Sequence, residues 1–411
     1  MNFIYEDTSL TPRIVARTTG YLDWSSQPSL FKHYPEFLFR YSFGDIEALR
    51  VVELARMISA TTQIASKPYH KLTSPSAGNL HPVELYVQIR GIKGVLSGIY
   101  HVDAGRSELV LIQEIEKDGL ESYVGIEGSL HGMLFVISTV PFRAEWKYKE
   151  RAIRYCYLDV GHQVATLGSS LKLFGHKMTI LSEFNKTDLN EIMGFRDEEF
   201  VCATAYIGDI REKNTTLIKN SLMQVSPTDY SELNSSLVKS IKKNELLRTQ
   251  ELTIRANIQE ESILKRRSAR KFDAGTGMKK EYLEEFLNFS KYVEYPLSLY
   301  TIVLNSEHIK AGIYKKSICM KEGLFIEEIC SLLVNQKFVK DADIVHIFTS
   351  KYFSANTLMK SAIYTHDIYM QAEQMGVGCT GIGAFYDKQI QKFFEIDEYI
   401  LYVSAVGVTL T

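Results

Sequence analysis

Four short stretches of this 411-residue chain hold residue types that could do chemistry. Ser74-Pro75-Ser76-Ala77-Gly78-Asn79-Leu80-His81-Pro82 concentrates small, turn-forming and hydroxyl-bearing residues just ahead of the apolar run 83–87. Glycine and alanine remove bulk, proline fixes φ, and serine and asparagine offer hydrogen bonds, so such a backbone suits a flat heteroaromatic ring. A hairpin lead-in without any ligand accounts for the same composition. Lys147-Tyr148 pairs a cation with a phenol whose pKa it would lower, which makes Tyr148 a candidate general acid or base. A surface lysine beside a half-buried tyrosine is the ordinary alternative. Arg266, Arg267, Ser268 and Arg270 set guanidiniums and a hydroxyl within one short segment, a match for phosphate. A basic helix end attracted by the macrodipole explains them too. Gly376-Val377-Gly378-Cys379-Thr380-Gly381 has GxGxxG spacing, but it follows a helical pattern instead of a strand, which disfavours a dinucleotide fold. The better reading is a helix stop at Gly376, then a tight loop through Gly381, Ile382 and Gly383 whose bare backbone approaches a ligand.

Composition narrows the function classes. Forty-seven basic side chains against forty-nine acidic ones give a net charge of −2, without the basic surplus that phosphate-backbone binding needs. No apolar run reaches the ~20 residues that span a bilayer, and the first residues lack signal-peptide order, so a cytoplasmic protein is expected. Five cysteines with no CxxC pair read as reduced thiols. No His/Asp/Glu cluster has metal-ligand spacing on one helix face, so no metal is expected. His81 reads as a polar wall of the ligand site or a hydrogen-bonded loop residue, His162 as a packed helix histidine, and Trp24 and Gln27 as parts of a packing arm, with a cover over one side of the pocket as the alternative.

The elements that must position these residues occur twice. Residues 1–45 read as an irregular aromatic arm. A helix is expected over 46–64, then strand 83–90, a hairpin of 98–101 with 109–111, a central strand 133–139, a helix 150–174 stopped by Gly175, and a strand 199–207. A polar connector, partly helical near its end, fills 213–250. Beyond it come helices at 258–265 and 279–289 and a strand at 297–304. Gly312-Ile313-Tyr314 echoes Gly98-Ile99-Tyr100, strand 344–349 echoes 133–139, helix 355–375 stops at Gly376, and strand 400–408 closes the series. An α+β fold of two tandem domains, 46–212 and 251–411, follows from this offset of about 200 residues. Such a chain can form an intramolecular pseudo-dimer with ligands at the seam.

Residues 75–82 with Gly98-Ile99-Tyr100-His101, and Trp146–Tyr155 followed by Asp159-Val160-Gly161-His162, resemble the SagB-type azoline dehydrogenase branch of the FMN-dependent nitroreductase superfamily. Arg266-Arg267-Ser268-Ala269-Arg270-Lys271-Phe272 is similar to that superfamily's flavin-phosphate motif, and Thr380–Phe385 resembles its flavin-edge loop. The resemblance implies tandem nitroreductase-like domains, each a mostly antiparallel sheet flanked by helices. It implies FMN as cofactor, with Pro75, Ser76, Ala77, Gly78 and Asn79 at the ring and Arg266, Arg267, Ser268, Arg270, Gly381, Ile382 and Gly383 at the phosphate and edge. It implies hydride transfer to flavin N5 with proton transfer by Tyr148 helped by Lys147, turning a peptide azoline into an azole, and partners in a peptide-modification complex. An NAD(P)H-fed reductase of nitro compounds, quinones or flavins, and a flavin-binding scaffold without turnover, are the other readings.

Departures accompany the resemblance. Lys149 stands where the branch usually has glycine, Ile153 replaces an aromatic residue, and the C-terminus lacks the basic residues many relatives place at the phosphate. Arg266 and Arg270 must then carry more of that charge. The first half keeps the Pro-Ser loop but only a relic, Phe39-Arg40-Tyr41-Ser42, of the arginine motif, and Gly175-His176-Lys177-Met178 has lost the Thr-Gly-Ile-Gly segment. The second half keeps both of those and has Val293–Ser298 in place of the ring loop. The family pattern therefore implies one composite FMN site, and one FMN, per chain.

Overall fold

The computed structural model describes residues 2–18, 20, 22–64, 67–182, 184–232, 235–243, 247 and 250–410. They group into two compact units: Asp23–Ile254 with Ile258–Leu264, and Met1–Leu22 with Arg255–Asn257 and Lys265–Thr411.

In the unit built on Asp23–Ile254, eight strands form one sheet. From edge to edge they run Arg40–Ser42, Glu108–Glu114, Gly98–Asp103, Val83–Arg90, Ser129–Thr139, Phe200–Arg211, Thr179–Leu181 and Gln250–Glu251. Neighbours are antiparallel throughout, with Tyr86 opposite Val136 and Val136 opposite Thr204. Alternation along the strands sends Tyr86, Leu134, Val136 and Val201 into one core. The long helix Ala152–Leu173 packs against the central strands. On another side of the helix Gly168 makes room for Leu252, whose Cδ2 would lie 2.4 Å from a Cβ there. The helix stops at Gly175, whose φ of +76° releases His176 N–H to Leu171 O at 2.9 Å and Gly175 N–H to Lys172 O at 3.0 Å.

The other unit holds a six-stranded sheet ordered Ile318–Glu322, Gly312–Lys315, Leu297–Val303, Ile344–Ser350, Tyr399–Gly407 and Gly378–Ile382, again antiparallel. This is the order of the inner six strands of the first sheet, so the duplication read from the sequence is a duplication of topology. Ile302, Ile347, Ile382, Phe385 and Val403 share its core. Helix Ala355–Met375 starts at a capping box on Ser354 and ends at Gly376 with Val377 N–H on Ala372 O, the same stop as its counterpart. Among the described residues no helix is long and apolar enough to cross a membrane.

Three expectations are corrected. The helix over 46–64 is short: a 3-10 turn Glu47–Leu49 and helix Arg50–Ala55 end at Arg56, whose φ of −155° leaves helical space, and Ile58–Ile64 is a strand paired with Lys67–Leu72. Arg56 is drawn inward to Glu84, 3.1 Å away, and the β-branched Ile58, Thr61, Thr62 and Ile64 suit a strand. The arm is not irregular, since Asn2–Thr8 and Pro12–Thr18 are helices. Tyr5 explains the first of these, with its ring 4.9 Å from Phe353 and 4.6 Å from Tyr399. Finally, Gly378–Ile382 is a strand paired with Tyr399–Gly407 and not a tight loop.

Candidate functional site

The loop before strand Val83–Arg90 is held in an uncommon shape. Gly78, Asn79 and His81 have φ of +62°, +60° and +47°, and Ala77–Asn79 makes a single 3-10 turn. Asn79 Nδ2 donates to His70 O at 2.7 Å, and Ser76 Oγ accepts from His81 N–H at 2.9 Å. Pro75 leads into this turn. Ser76 Oγ–H and Ala77 N–H both donate to the carboxyl of Asp159, at 2.6 and 3.1 Å.

Lys147 and Tyr148 end helix Pro141–Tyr148 and come to rest on this loop. A Cβ on Gly78 would lie 2.3 Å from Tyr148 Oη and 3.4 Å from Lys147 Nζ, so only glycine leaves room for them. Tyr148 stands edge-on to Tyr155, centroids 4.5 Å apart, while Lys147 Nζ lies 4.9 Å from the ring centre of Trp24. Burial lowers the Lys147 pKa from the ordinary lysine value. The next residue, Lys149, has φ +50° and ψ −134°, a conformation that glycine adopts more readily than lysine. The helix itself is anchored by Arg143, fully buried, which donates to His81 O at 2.9 Å, Pro227 O at 2.8 Å and Glu84 Oε1 at 2.6 Å. Burial pushes the Glu84 carboxyl up, but the guanidiniums of Arg143 and Arg56 outweigh it and hold the group well below the usual range.

The second cluster lies wholly in the unit containing Lys265–Thr411. Helix Glu260–Lys265 ends before the arginine motif, and Arg266–Arg270 runs on as extended chain, with Ser268 bridged to Cys379 and Ala269 N–H on Cys379 O at 2.9 Å. Arg266 is buried with its guanidinium 5.3 Å from the ring centre of Tyr369. Ser268 Oγ lies 2.8 Å from Tyr369 Oη, and that same oxygen accepts Gly381 N–H at 2.6 Å. The bare backbone at Gly381 thus serves Tyr369 and makes room for Tyr402, whose hydroxyl would be 2.0 Å from a Cβ there. Arg267 N–H donates to Glu373 Oε1 at 3.3 Å, and Arg270 donates to Thr380 Oγ1. Ile382 is buried in the hydrophobic core, and Gly383 follows the strand.

The structure therefore brings together Ser76, Ala77, Gly78, Asn79, Lys147 and Tyr148 in one unit, and Arg266, Arg267, Ser268, Arg270 and Gly381 in the other. Sequence reasoning gave no role to Asp159, Glu84, Arg143 or Tyr369. Glu84, Arg143 and Tyr369 are single polar residues inside a helix or strand that no spacing marks, and Asp159 stands in a segment that carries the resemblance, without a role of its own. The donor types of the second cluster fit a phosphate: Arg266, Arg267 and Arg270 are cations and Ser268 carries a hydroxyl, with Glu373 as the acid that accepts Arg267 N–H. The loop of the first cluster fits a flat ring edge, since its side chains are small and its backbone is fixed. Among the described residues no group of three or more His, Cys, Asp or Glu could hold a metal.

Comparison with known proteins bears on the fold that carries these residues. Residues 263–408 match the family model described as Nitroreductase family. A Methanocaldococcus jannaschii protein named as a nitroreductase is 26% identical over 159 residues, covering 36% of this chain and 76% of its own. The crystal structure of a nitroreductase-named protein of Anabaena variabilis superposes with a TM-score of 0.81 at 19% identity, covering 100% of this chain and 99% of that one. A nitroreductase-like fold thus extends over the whole chain, beyond the stretch that the family model matches. An oxidoreductase described as containing FMN aligns over 39% of this chain and 84% of its own with a TM-score of 0.29, an overlap too limited to argue from.

Proposed function

We propose that the chain is an FMN-dependent oxidoreductase of the SagB type, oxidising a five-membered azoline in a peptide to the aromatic azole. The observation that carries the reading is the packing of Tyr148 and Lys147 directly on Gly78 of the candidate ring loop. Bound FMN would supply a two-electron acceptor for the hydride. Tyr148 takes the substrate proton at Oη, and Lys147, its ammonium partly stripped of water, favours the phenolate that does so. The small side chains and fixed backbone of Ser76, Ala77, Gly78 and Asn79 would border the ring, while Arg266 and Arg270 would neutralise the phosphate and Ser268 would offer it a hydroxyl. Each motif occurs once in the sequence, so one FMN per chain is expected.

The test uses the full chain loaded with FMN and a synthetic thiazoline peptide. Loss of two hydrogens is read by mass spectrometry, and Tyr148→Phe should slow it by about 100-fold or more. Full activity in Tyr148→Phe, or two flavins per chain by absorbance, refutes the corresponding part of the proposal. The reductase reading draws on Lys149 and Ile153, which depart from the branch pattern. Bleaching of the flavin by NAD(P)H without any peptide oxidation would favour it.

A further inference from the structure

One buried acid beside the candidate site has no part in the chemistry just described. Asp159 lies on helix Ala152–Leu173 and is 3% exposed. Its carboxyl takes Ser76 Oγ–H at 2.6 Å and Ala77 N–H at 3.1 Å, and Ser76 Oγ passes the restraint on to His81 N–H. At the far end Arg143 holds His81 O. Between these two anchors lie Gly78, Asn79 and His81, all at positive φ. Such a run persists only when its surroundings over-determine it. Asp159 holds it at one end and Arg143 at the other, His70 O takes Asn79 Nδ2 at 2.7 Å in the middle, and Tyr148 Oη rests on Gly78.

We infer that Asp159 is a positioning residue for proton transfer at Tyr148, acting through the loop 76–81. The inference rests on the proposed function. An ionised Asp159 accepts both loop bonds as charge-assisted ones. A protonated Asp159 is a weaker acceptor for Ala77, and its own O–H can donate to Ser76 Oγ, which reverses that bond. Burial pushes the Asp159 carboxyl up to about 7, with Ser76 and Ala77 N–H pulling the other way, so this change falls near neutrality. Cys156, on the same helix, is a thiol pushed up by burial. His81, at the loop's end, is pushed down to about 3 by burial and by Arg56, so it stays neutral there. Beyond Gly78 stand Lys147 and Tyr148, and Arg143 with Glu84 forms the charged pair at the far anchor.

Both tryptophans of the chain report on this cluster, Trp24 through Lys147 and Trp146 through its ring contact with Trp24 at 5.3 Å. The experiment follows tryptophan emission and thiazoline-peptide oxidation across the neutral pH range in the full chain loaded with FMN. Wild type should show one inflection near pH 7 in both. Asp159→Asn keeps an acceptor for Ala77 but cannot ionise. It should lose the inflection in both and lower kcat about tenfold with KM unchanged. Ser76→Ala removes a bond that favours the ionised form and should move the inflection to higher pH. An inflection that survives Asp159→Asn, or does not move in Ser76→Ala, overturns the inference. Absence of peptide oxidation by wild type overturns the proposed function alone, and the emission curves then decide whether Asp159 governs the placement of Lys147 and Tyr148.

Discussion

Replacing Gly78 with alanine tests the geometry of the loop most directly. Two separate costs arise. The first is conformational: at φ +62° an L-residue loses about 1–2 kcal/mol. The second is steric, because the new Cβ would sit 2.3 Å from Tyr148 Oη and 3.2 Å from Cζ. Tyr148 cannot swing aside freely, since its ring is set edge-on to Tyr155. To regain ordinary contact its hydroxyl must move by about 1 Å, and overpacking of this kind costs roughly 1–3 kcal/mol. The sum is about 2–5 kcal/mol. Gly175→Ala provides the control: its φ is +76°, but nothing lies within 4 Å of its Cβ position, so only the conformational cost applies. Urea unfolding of both variants separates the two costs, with Gly78→Ala less stable than Gly175→Ala by about 1–3 kcal/mol. A shift of about 1 Å at a reacting group also costs on the order of 100-fold in rate, so peptide oxidation should fall with it. Equal stability of the two variants together with undiminished turnover would refute the contact between Gly78 and Tyr148.

Further outcomes follow from other sites. Lys149→Gly should stabilise the protein by about 1 kcal/mol in urea unfolding, because it relieves a lysine held at φ +50° and ψ −134°. Asp159 has a raised folded pKa, so its ionisation opposes folding: the wild type loses stability as pH climbs from about 4 to about 7. Relative to wild type, Asp159→Asn should therefore gain on the order of 4 kcal/mol over that interval, measured by unfolding at both ends. Lys32→Met strands the buried Glu199 carboxylate, 2.8 Å from Lys32 Nζ, and should cost about 3–5 kcal/mol in the same assay. Arg266→Ala and Ser268→Ala should each weaken FMN binding, by about tenfold or more for the guanidinium, in a flavin fluorescence titration.

The sheets and the two long helices were legible because their patterns are carried locally. Apolar runs such as 133–139 and 344–349 have few other options, and Gly175 and Gly376 mark helix ends. Ile58–Ile64 was not legible as a strand, since the spacing of Ile46 to Ile58 continues a helical stripe and the partner Lys67–Leu72 decides the outcome. Gly381 was expected to bare its backbone for a ligand, but the residues that need it bare are Tyr402 and Tyr369. Lys147 and Tyr148 could be singled out by type, yet their meeting with Gly78, some 70 positions earlier, is a product of the fold. Asp159 shows the limit most clearly: the resemblance includes its segment, but neither that nor its helical spacing tells a solvated side chain from a buried clamp.

Tyr5 packs with Phe353 and Tyr399, and Leu10 N–H bonds to Asp387 at 3.1 Å. Residues made early thus find their partners in residues made much later. At about 5–20 residues per second, roughly 20–80 s pass between the synthesis of Tyr5 and that of Tyr399. Residues 23–254 can complete their sheet within that interval, whereas the first helix must wait with its tyrosine uncovered. Tyr5 is therefore made long before Phe353 and Tyr399, the residues that cover it.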